Sequence, residues 1–378
     1  MKVAILGVGL IGGSIGLAAR ARAGVEVCGY DPDERVLARA LELGALDVGA
    51  SDVPGAVAGA DIVFAAAPVG ALAQTVALAL QAAAPGCVVT DVGSTKRMLA
   101  DAARDQRFIG GHPLAGAQTA GVEHAREDLF EGCSWYLTPA KGKTSGLLYE
   151  RLYSVLRGFG ARPVAVDADT HDRIMACVSH LPHVLANVLV AQAVGMLDSS
   201  AGTRASAHVG EELRRLPVPL RVPAVGPSFR DATRVAGAND AIWTDIYISN
   251  RDALIDGIDE LQRRLDEVRG WLASADAHAI GAWSERARDA RDALLGGLTG
   301  GADGEPVHEL RVSVPNRPGV IAEIALALGD AGLNILDLAL SPSPDNRQGV
   351  VALWIAGEQR AARAGELIAG LGFQVLPA

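Results

Sequence analysis

The sequence has little of three features that mark particular classes of protein. It has 34 Lys and Arg against 44 Asp and Glu, a net charge of −10, which argues against a nucleic-acid binder because phosphate contacts need clustered cations. Its four cysteines form no CxxC pair and no zinc-ligand spacing, so we expect reduced thiols, a cytoplasmic location and no metal site. The apolar stretch 56–84 is interrupted by Asp61 and Pro68, so no run of about 18 apolar residues is left to span a membrane.

Aromatic residues are also scarce, at 4% of the chain, whereas apolar residues make up 49% and charged residues 21%. This composition excludes disorder as the dominant state and predicts cores built of Ala, Val and Leu. The length of 378 residues predicts two or three domains, because a domain usually has roughly 100–200 residues.

The N-terminus has the pattern of a dinucleotide-binding βαβ unit. An apolar strand run leads into Gly7-Val8-Gly9-Leu10-Ile11-Gly12, a helix-forming stretch follows at 15–22, and a second strand run ends at Asp31. The glycines allow a tight turn and the close approach of a pyrophosphate, while the helix N-terminus supplies N–H groups. Asp31 stands where a carboxylate accepts hydrogen bonds from the ribose hydroxyls. Because it would repel a 2′-phosphate, the pattern predicts NAD rather than NADP.

The alternation of strands and helices continues and predicts a Rossmann-type, doubly wound α/β sheet over 1–168. The further strand runs are 61–67, 87–91, 108–110, 135–138 and 164–166. In such a sheet the carboxyl ends of the parallel strands line the ligand cleft. The residues at these ends are Gly7, Asp31, Pro68, Ser94 and His112.

The remainder of the chain has two other patterns. Residues 169–295 are typical of long helices, which predicts an all-α domain that builds a substrate cleft and a dimer interface. The glycine-rich stretch 296–306 predicts a flexible linker. Residues 307–378 have the strand and helix order βαββαβ, which is the ferredoxin-like plan.

Five short motifs occur in a fixed order along the chain. They are Gly7-Val8-Gly9-Leu10-Ile11-Gly12-Gly13-Ser14, Asp91-Val92-Gly93-Ser94-Thr95-Lys96, Gly110-Gly111-His112-Pro113-Leu114-Ala115-Gly116, Ser179-His180-Leu181-Pro182-His183, and Phe229-Arg230-Asp231-Ala232-Thr233-Arg234 with Trp243. In this order they resemble the motifs of the prephenate and arogenate dehydrogenases of tyrosine biosynthesis, followed by an ACT regulatory domain. The resemblance covers essentially the whole chain. It implies an NAD-dependent oxidoreductase that decarboxylates its substrate and works as a homodimer.

The resemblance also implies roles for individual side chains. His112 is implied to be catalytic, with Ser94 within hydrogen-bonding reach of the substrate hydroxyl. Arg234 is implied to bind the ring carboxylate of the substrate. His183 is implied to line the same pocket, and Trp243 to help wall it from the partner subunit.

Several assignments stay open at this point. Lys96 is placed either to bind a substrate carboxylate or to cap its own helix, and Trp243 is either a pocket wall or core. His171 either caps a helix or reaches the cleft, while a structural role is favoured for His180. Gln118 stands where many relatives have an acidic residue. Its neutrality favours prephenate, because an acid there would suit the ammonium of arogenate.

Three functions compete on this basis. The leading one is NAD-dependent oxidative decarboxylation of prephenate to 4-hydroxyphenylpyruvate. The second is arogenate dehydrogenase activity, which forms tyrosine directly. The third is a non-catalytic sensor that reads NAD and an amino acid. The set of Ser94, His112 and Arg234 argues against the sensor, because a sensor needs no proton acceptor.

The resemblance to ACT domains implies an amino-acid site between two copies of the domain. It would use the strand–helix turn with Asn316, Gly319 and Val320, together with Asn334 and Ile335. Backbone N–H groups at the helix N-terminus can hold an α-carboxylate, and the asparagine side chains can meet an ammonium. Tyrosine is the expected effector and feedback inhibition its expected effect, with phenylalanine second.

Overall fold

The structure is a computed structural model that describes residues 1–21, 24–116, 119–140, 144–199, 226–296, 306–342 and 348–376. It divides into two compact units, one formed by residues 1–263 and the other by residues 264–378.

The first unit contains an eight-stranded sheet with the order β3-β2-β1-β4-β5-β6-β7-β8. Its strands are β1 (Lys2–Leu6), β2 (Glu26–Tyr30), β3 (Val48–Gly49), β4 (Ile62–Ala65), β5 (Val88–Asp91), β6 (Phe108–Pro113), β7 (Ser134–Pro139) and β8 (Arg162–Ala165). Neighbouring strands are parallel except for β6 and β7, which pair antiparallel with His112 opposite Tyr136. The short edge strand β3 and the antiparallel pair are additions to the predicted pattern.

Both faces of this sheet are covered, as expected for a doubly wound fold. In β1, Val3 and Ile5 point into one core with side chains of the helices at 10–20 and 146–158. The alternate residues Ala4 and Leu6 point into a second core with the helices at 53–57 and 69–82. Side chains on successive strand residues point to opposite faces, so a strand buried on both faces has no polar alternation. The predicted Rossmann-type α/β sheet is confirmed.

The few aromatic residues are not spread evenly through these cores. Phe130 packs on Trp135 with ring centroids 5.0 Å apart, and Phe64 packs edge-on to Trp135 at 6.3 Å. Phe159 lies at 6.2 Å from Phe130. The core beneath β6 and β7 is therefore aromatic, in contrast to the predicted packing of Ala, Val and Leu alone.

Helices dominate the first unit after the sheet. The helices that begin in the first unit are α1 (Leu10–Arg20), α2 (Glu34–Glu42), α3 (Val53–Val57), α4 (Val69–Ala82), α5 (Gly146–Gly158), α6 (Ala168–Met175), α7 (Leu181–Ser199), α8 (Pro227–Thr233), α9 (Asp240–Ser249) and α10 (Arg251–Ala273). The last of them, α10, ends in the second unit. A π turn, Ala176–His180, joins α6 to α7. Pro182 has no N–H to donate to the carbonyl of Val178, and a widened turn accommodates that loss. The prediction of an all-α middle domain is confirmed for its described residues.

The continuous stretch 168–194 is long and apolar enough to cross a membrane by length and composition alone. Its polar side chains argue for a different role. His171, Asp172 and His180 are buried within the first unit, and Asp172 accepts hydrogen bonds from the loop after β5. We interpret the stretch as a helical segment of a globular unit, with its polar, buried side packed against the sheet domain.

The second unit contains a four-stranded antiparallel sheet with the order β10-β11-β9-β12. Its elements after α10 are α11 (Ala277–Gly296), β9 (Val307–Pro315), α12 (Val320–Asp330), β10 (Asp337–Pro342), β11 (Gln348–Ala356), α13 (Glu358–Gly370) and β12 (Gln374–Leu376). The predicted ferredoxin-like order βαββαβ is confirmed. Asn334 and Ile335 precede β10 rather than open it, because the first ladder pairing joins Asp337 to Trp354. Of the predicted linker 296–306, residues 297–305 lie outside the described residues.

Candidate active site

The turn between β1 and α1 leaves space for a ligand at its centre. A side chain at Gly12 would place its Cβ 2.0 Å from the carbonyl oxygen of Gly7, whereas a Cβ on Gly9 would meet nothing within 4 Å. Gly9 is the N-cap of α1, and no side chain caps this end of the helix. Free helix N–H groups beside an open glycine suit a pyrophosphate. Leu10 and Ile11, which the glycine motif includes as predicted cofactor-binding residues, directly follow this turn as the first residues of α1.

Asp31 follows β2 and contacts the same turn. Its carboxylate accepts hydrogen bonds from the backbone N–H of Val8 at 2.8 Å and of Asp33 at 3.0 Å. The nearby Arg35 forms a two-point ion pair with Asp33, so its guanidinium is paired with Asp33 and not with Asp31. Pro68 is exposed directly before α4, after β4 and at the edge where ligands bind such sheets.

His112 lies near the end of β6, where only 9% of the residue is exposed. The preceding glycine is required by a close approach, since a Cβ on Gly111 would lie 2.5 Å from the carbonyl oxygen of Asp91. Burial lowers the pKa of His112 well below its ordinary value of 6.5, and Lys96, His171 and His180 lower it further. A buried, neutral imidazole is therefore available at neutral pH.

Lys96 is committed to the structure of this edge. Its ammonium donates to the carboxylate of Asp91 and, at 2.7 Å, to the carbonyl of Gly111. Asp91 in turn accepts from the backbone N–H of Gly93 at 2.8 Å and of Gly111 at 3.0 Å. Lys96 is 2% exposed, so the prediction that it binds a substrate carboxylate does not fit its placement. It joins the loop after β5 to the strand that carries His112.

His112 is the first member of a buried chain of hydrogen bonds. Its Nδ1 lies 2.9 Å from Nε2 of His171, and Nδ1 of His171 lies 2.8 Å from the carboxylate of Asp172. The same carboxylate accepts from the backbone N–H groups of Lys96 at 2.7 Å and Arg97 at 2.9 Å. Burial alone would raise the pKa of Asp172, but these hydrogen bonds outweigh it and the pKa is lowered.

From the sequence alone the role of His171 is open, and Asp172 is not among the predicted site residues. The available signal was a His-Asp pair in the first turns of a helix that is otherwise apolar on its buried side. His171 reaches the cleft by contacting His112 and does not cap α6, because Asp167 accepts from the backbone N–H of Thr170 at that end.

A second cluster surrounds His183. The ring of His183 stacks on Trp243 with centroids 3.6 Å apart and planes inclined by 6°. The hydroxyl of Tyr247 contacts Nδ1 of His183. Trp243 was expected to reach the pocket from a partner subunit, whereas here it stacks on a histidine of its own chain. Burial lowers the pKa of His183, and a hydrogen bond with the backbone of Val235 partly offsets this decrease.

Asn250 connects the two clusters. Its side-chain amide donates to Nδ1 of His180 at 3.1 Å and to the backbone carbonyl of Asp172 at 2.8 Å. His180 also lies edge-on to Trp243 with centroids 6.1 Å apart. Burial lowers the pKa of His180 to about 4. Through Asn250, His180 therefore links the helical domain to the hydrogen bonds between His112, His171 and Asp172. This placement agrees with the structural role favoured for it.

The remaining predicted residues lie at the edge of this arrangement. Ser94 is half-buried, and Thr95 after it donates to the hydroxyl of Ser249 at 3.0 Å. Arg234 is exposed after α8 and has no carboxylate at ion-pair distance among the described residues. Its neighbour Val235 contacts His183. Gln118 lies outside the described residues.

The predicted effector residues lie around α12 in the second unit. Gly319 is the left-handed N-cap of this helix, with φ of 87°, and no side chain caps it. Val320, the first helical residue, is buried, and Ile335 packs against the core of the domain. Asn316 and Asn334 are exposed.

Comparison with known proteins gives a consistent result along the whole chain. Residues 15–165 match the prephenate dehydrogenase nucleotide-binding domain, residues 167–284 the prephenate dehydrogenase dimerization domain, and residues 308–358 the ACT domain. A prephenate dehydrogenase of Bacillus subtilis is 34% identical over 97% of this chain and 96% of its own.

Two solved structures share the fold of most of the chain. The prephenate dehydrogenase of Aquifex aeolicus, solved with hydroxyphenyl propionate and NAD+, superposes with a TM-score of 0.68 at 26% identity, over 78% of this chain and 98% of that one. The Synechocystis arogenate dehydrogenase gives 0.65 at 26% identity, over 78% and 100%. The matched domains and the near full-length relative agree with the order of motifs, so this chain belongs to the prephenate dehydrogenase family.

Proposed function

We propose that this protein catalyses the NAD-dependent oxidative decarboxylation of prephenate to 4-hydroxyphenylpyruvate. The observation that carries the proposal is the buried His112, which burial keeps neutral at the carboxyl edge of a nucleotide-binding sheet. The test is the appearance of NADH absorbance when prephenate is added to the protein and NAD, with 4-hydroxyphenylpyruvate identified as the product. Absence of turnover on both prephenate and arogenate, with NAD still bound, would instead support a sensor.

The reaction needs a base and an anion site, and the chain offers both. Prephenate has a hydroxyl and a hydrogen on C4, a carboxylate on C1 and a pyruvyl side chain. NAD, when bound, accepts the hydride from C4. His112 takes the proton of the hydroxyl, and Ser94 donates a hydrogen bond to the same oxygen. As the C1 carboxylate leaves as CO2, the electrons of the broken C–C bond make the ring aromatic. The proton held by His112 then returns to the oxygen on C4 and gives the phenol.

The cofactor is NAD, and the placement of Asp31 supports a preference for NAD over NADP. Its carboxylate lies after β2 beside the glycine turn, where the ribose of the adenosine half binds in such folds. A negative charge there repels a 2′-phosphate, and Arg35 is held by Asp33. Gly7, Gly9, Gly12 and the first residues of α1 would hold the pyrophosphate.

Arg234 is proposed to bind the ring carboxylate, because it is an exposed cation next to Val235, whose backbone contacts His183, and it has no carboxylate partner among the described residues. We expect Arg234→Lys to raise KM for prephenate about 10-fold or more while kcat changes little, since lysine keeps the charge but loses the two-point contact. Steady-state kinetics measures both constants. Arg230→Lys, in the short helix α8 that directly precedes Arg234, is the matched control and should leave KM unchanged; an unchanged KM in Arg234→Lys would remove this role.

Arogenate is the second candidate substrate. The similarity to an arogenate dehydrogenase structure keeps it in view, and the neutral Gln118 favours prephenate. Comparing kcat/KM for the two compounds in the same assay decides between them. A higher value for arogenate would make tyrosine the direct product.

We propose that tyrosine binds the ACT domain and inhibits the enzyme. The uncapped N-terminus of α12 after Gly319 suits an α-carboxylate, and the exposed Asn316 and Asn334 suit an ammonium. We expect a chain truncated at residue 300 to remain active and to lose inhibition by tyrosine, measured as the concentration that halves the rate. Equal inhibition of the truncated chain would place the tyrosine effect at the active site.

We also propose a cytoplasmic homodimer. The apolar side chains of Val178, Val188 and Leu272 are 52–63% exposed, and Leu265 is exposed along the same helix as Leu272. A second copy of the helical domain would cover such surface. The free cysteines of the described residues suit a reducing compartment.

The proposed domain boundaries remain 1–168, 169–295 and 307–378, with the linker at 296–306. They are supported by the end of β8 at Ala165, the end of α11 at Gly296 and the start of β9 at Val307.

A further inference from the structure

The chain of hydrogen bonds behind His112 determines where its protons lie. Asp172 is fully buried, and hydrogen bonds from His171 and two backbone N–H groups favour its ionised form. An ionised carboxylate only accepts hydrogen bonds. Nδ1 of His171 therefore carries a proton and donates it to Asp172.

This proton fixes the tautomer of the next ring. A neutral imidazole has one N–H and one accepting nitrogen, so a neutral His171 has its lone pair on Nε2. That nitrogen lies 2.9 Å from Nδ1 of His112, which must then carry a proton and donate it. The remaining nitrogen of His112, Nε2, has the free lone pair.

We propose that His171 and Asp172 are positioning residues that hold His112 in the Nδ1–H tautomer, so that its Nε2 accepts the proton of the substrate hydroxyl. The inference rests on the proposed function and assigns the atom that performs it. If His171 were instead protonated on both nitrogens, it would donate to Nδ1 of His112 and leave a proton on Nε2. That ring could not act as a base.

The same chain would stabilise the cation that forms when His112 takes the proton. Imidazolium donates from Nδ1 to His171, whose own N–H points to the carboxylate of Asp172, as in hydrolases where a buried carboxylate orients a histidine. Lys96 and His180 also face His112 and oppose its positive charge. Asp91 is paired with Lys96. Asp172 is therefore the carboxylate that can offset the charge of His112, through the hydrogen bond of His171.

The packing around His171 restricts its ring. His171 has no exposed surface, and its ring meets Tyr136 edge-on at 5.5 Å and His112 edge-on at 5.1 Å. Tyr136 lies directly opposite His112 in the β6–β7 pair. Both neighbours of His171 are therefore fixed by the sheet, so the His112–His171 contact is preformed.

The first test reads the tautomer directly. In protein labelled with 15N-histidine and free of ligands, NMR at neutral pH is expected to show Nδ1 of His112 protonated and Nε2 unprotonated, with the signals assigned by their loss in His112→Asn. A proton on Nε2 of His112 would overturn the inference. This readout does not depend on turnover, so the inference and the proposed function can fail separately.

The second test removes the acceptor. His171→Leu is expected to lower kcat by about 10²–10³-fold with unchanged NAD affinity and to lose the single Nδ1–H state of His112. His171→Gln is expected to restore most of kcat and that state, because its amide can accept from His112 and donate to Asp172. Normal kcat in His171→Leu, or an equal loss in both variants despite native circular dichroism, would contradict the positioning role.

Discussion

His112→Asn is expected to lower kcat for prephenate by about 10²–10⁴-fold, the usual effect of losing a general base. Asparagine can hold a hydrogen bond to His171 or to the substrate, but it cannot take a proton. NAD binds at the glycine turn and Asp31, so its dissociation constant, measured by fluorescence titration, should not change.

The control for this prediction is His124→Asn, which makes the same substitution at an exposed position. It should leave both constants unchanged. Turnover of His112→Asn within a few-fold of the unaltered enzyme would contradict the assignment of the base, whatever the result for substrate binding.

Lys96→Met is expected to lower the free energy of unfolding by about 3–5 kcal/mol, because removing one partner of a buried ion pair leaves the other charge uncompensated. Lys96 and Asp91 are 1% and 0% exposed at their side chains. Urea unfolding followed by circular dichroism measures the loss.

Arg104→Met is the matched control for this loss. It breaks an ion pair with Asp101 whose side chains are 77% and 93% exposed, so the expected loss is below about 1 kcal/mol. If Lys96→Met were as stable as this control and raised KM for prephenate, the sequence-based role of Lys96 in binding a substrate carboxylate would be restored.

The nucleotide half of the site could be predicted from the sequence because its determinants are local. The glycine turn, α1 and the acid after β2 follow one another within 31 residues, and each has a restricted choice of residue. The close approach of Gly12 to the backbone of Gly7, which leaves no room for a Cβ on Gly12, joins positions five apart. Strand alternation likewise predicts the doubly wound sheet without knowledge of remote contacts.

The catalytic half could be predicted only as a set of candidate residues. The contact between His112 and His171 joins positions 59 apart, and Asp172 binds the backbone of Lys96 across 76 positions. Whether Lys96 binds substrate or Asp91 depends on its burial beside Gly111. The local sequence pattern does not predict that burial. The antiparallel pairing of β6 with β7, which places Tyr136 against His171, likewise depends on contacts between distant residues.

A neutral, buried His112 is expected to accept the substrate's proton, and the decisive measurement is the pH dependence of kcat/KM for NADH formation from prephenate. Burial disfavours the charged ring, so its pKa lies well below 6.5, and the base is lost only when the pH falls below that depressed pKa. Because kcat/KM reports the ionisation of the free enzyme, kcat/KM is expected to stay constant from neutral pH down past 6.5 and to decline at lower pH. An acid-side inflection at or above 6.5, or no NADH from prephenate at any pH, would contradict it.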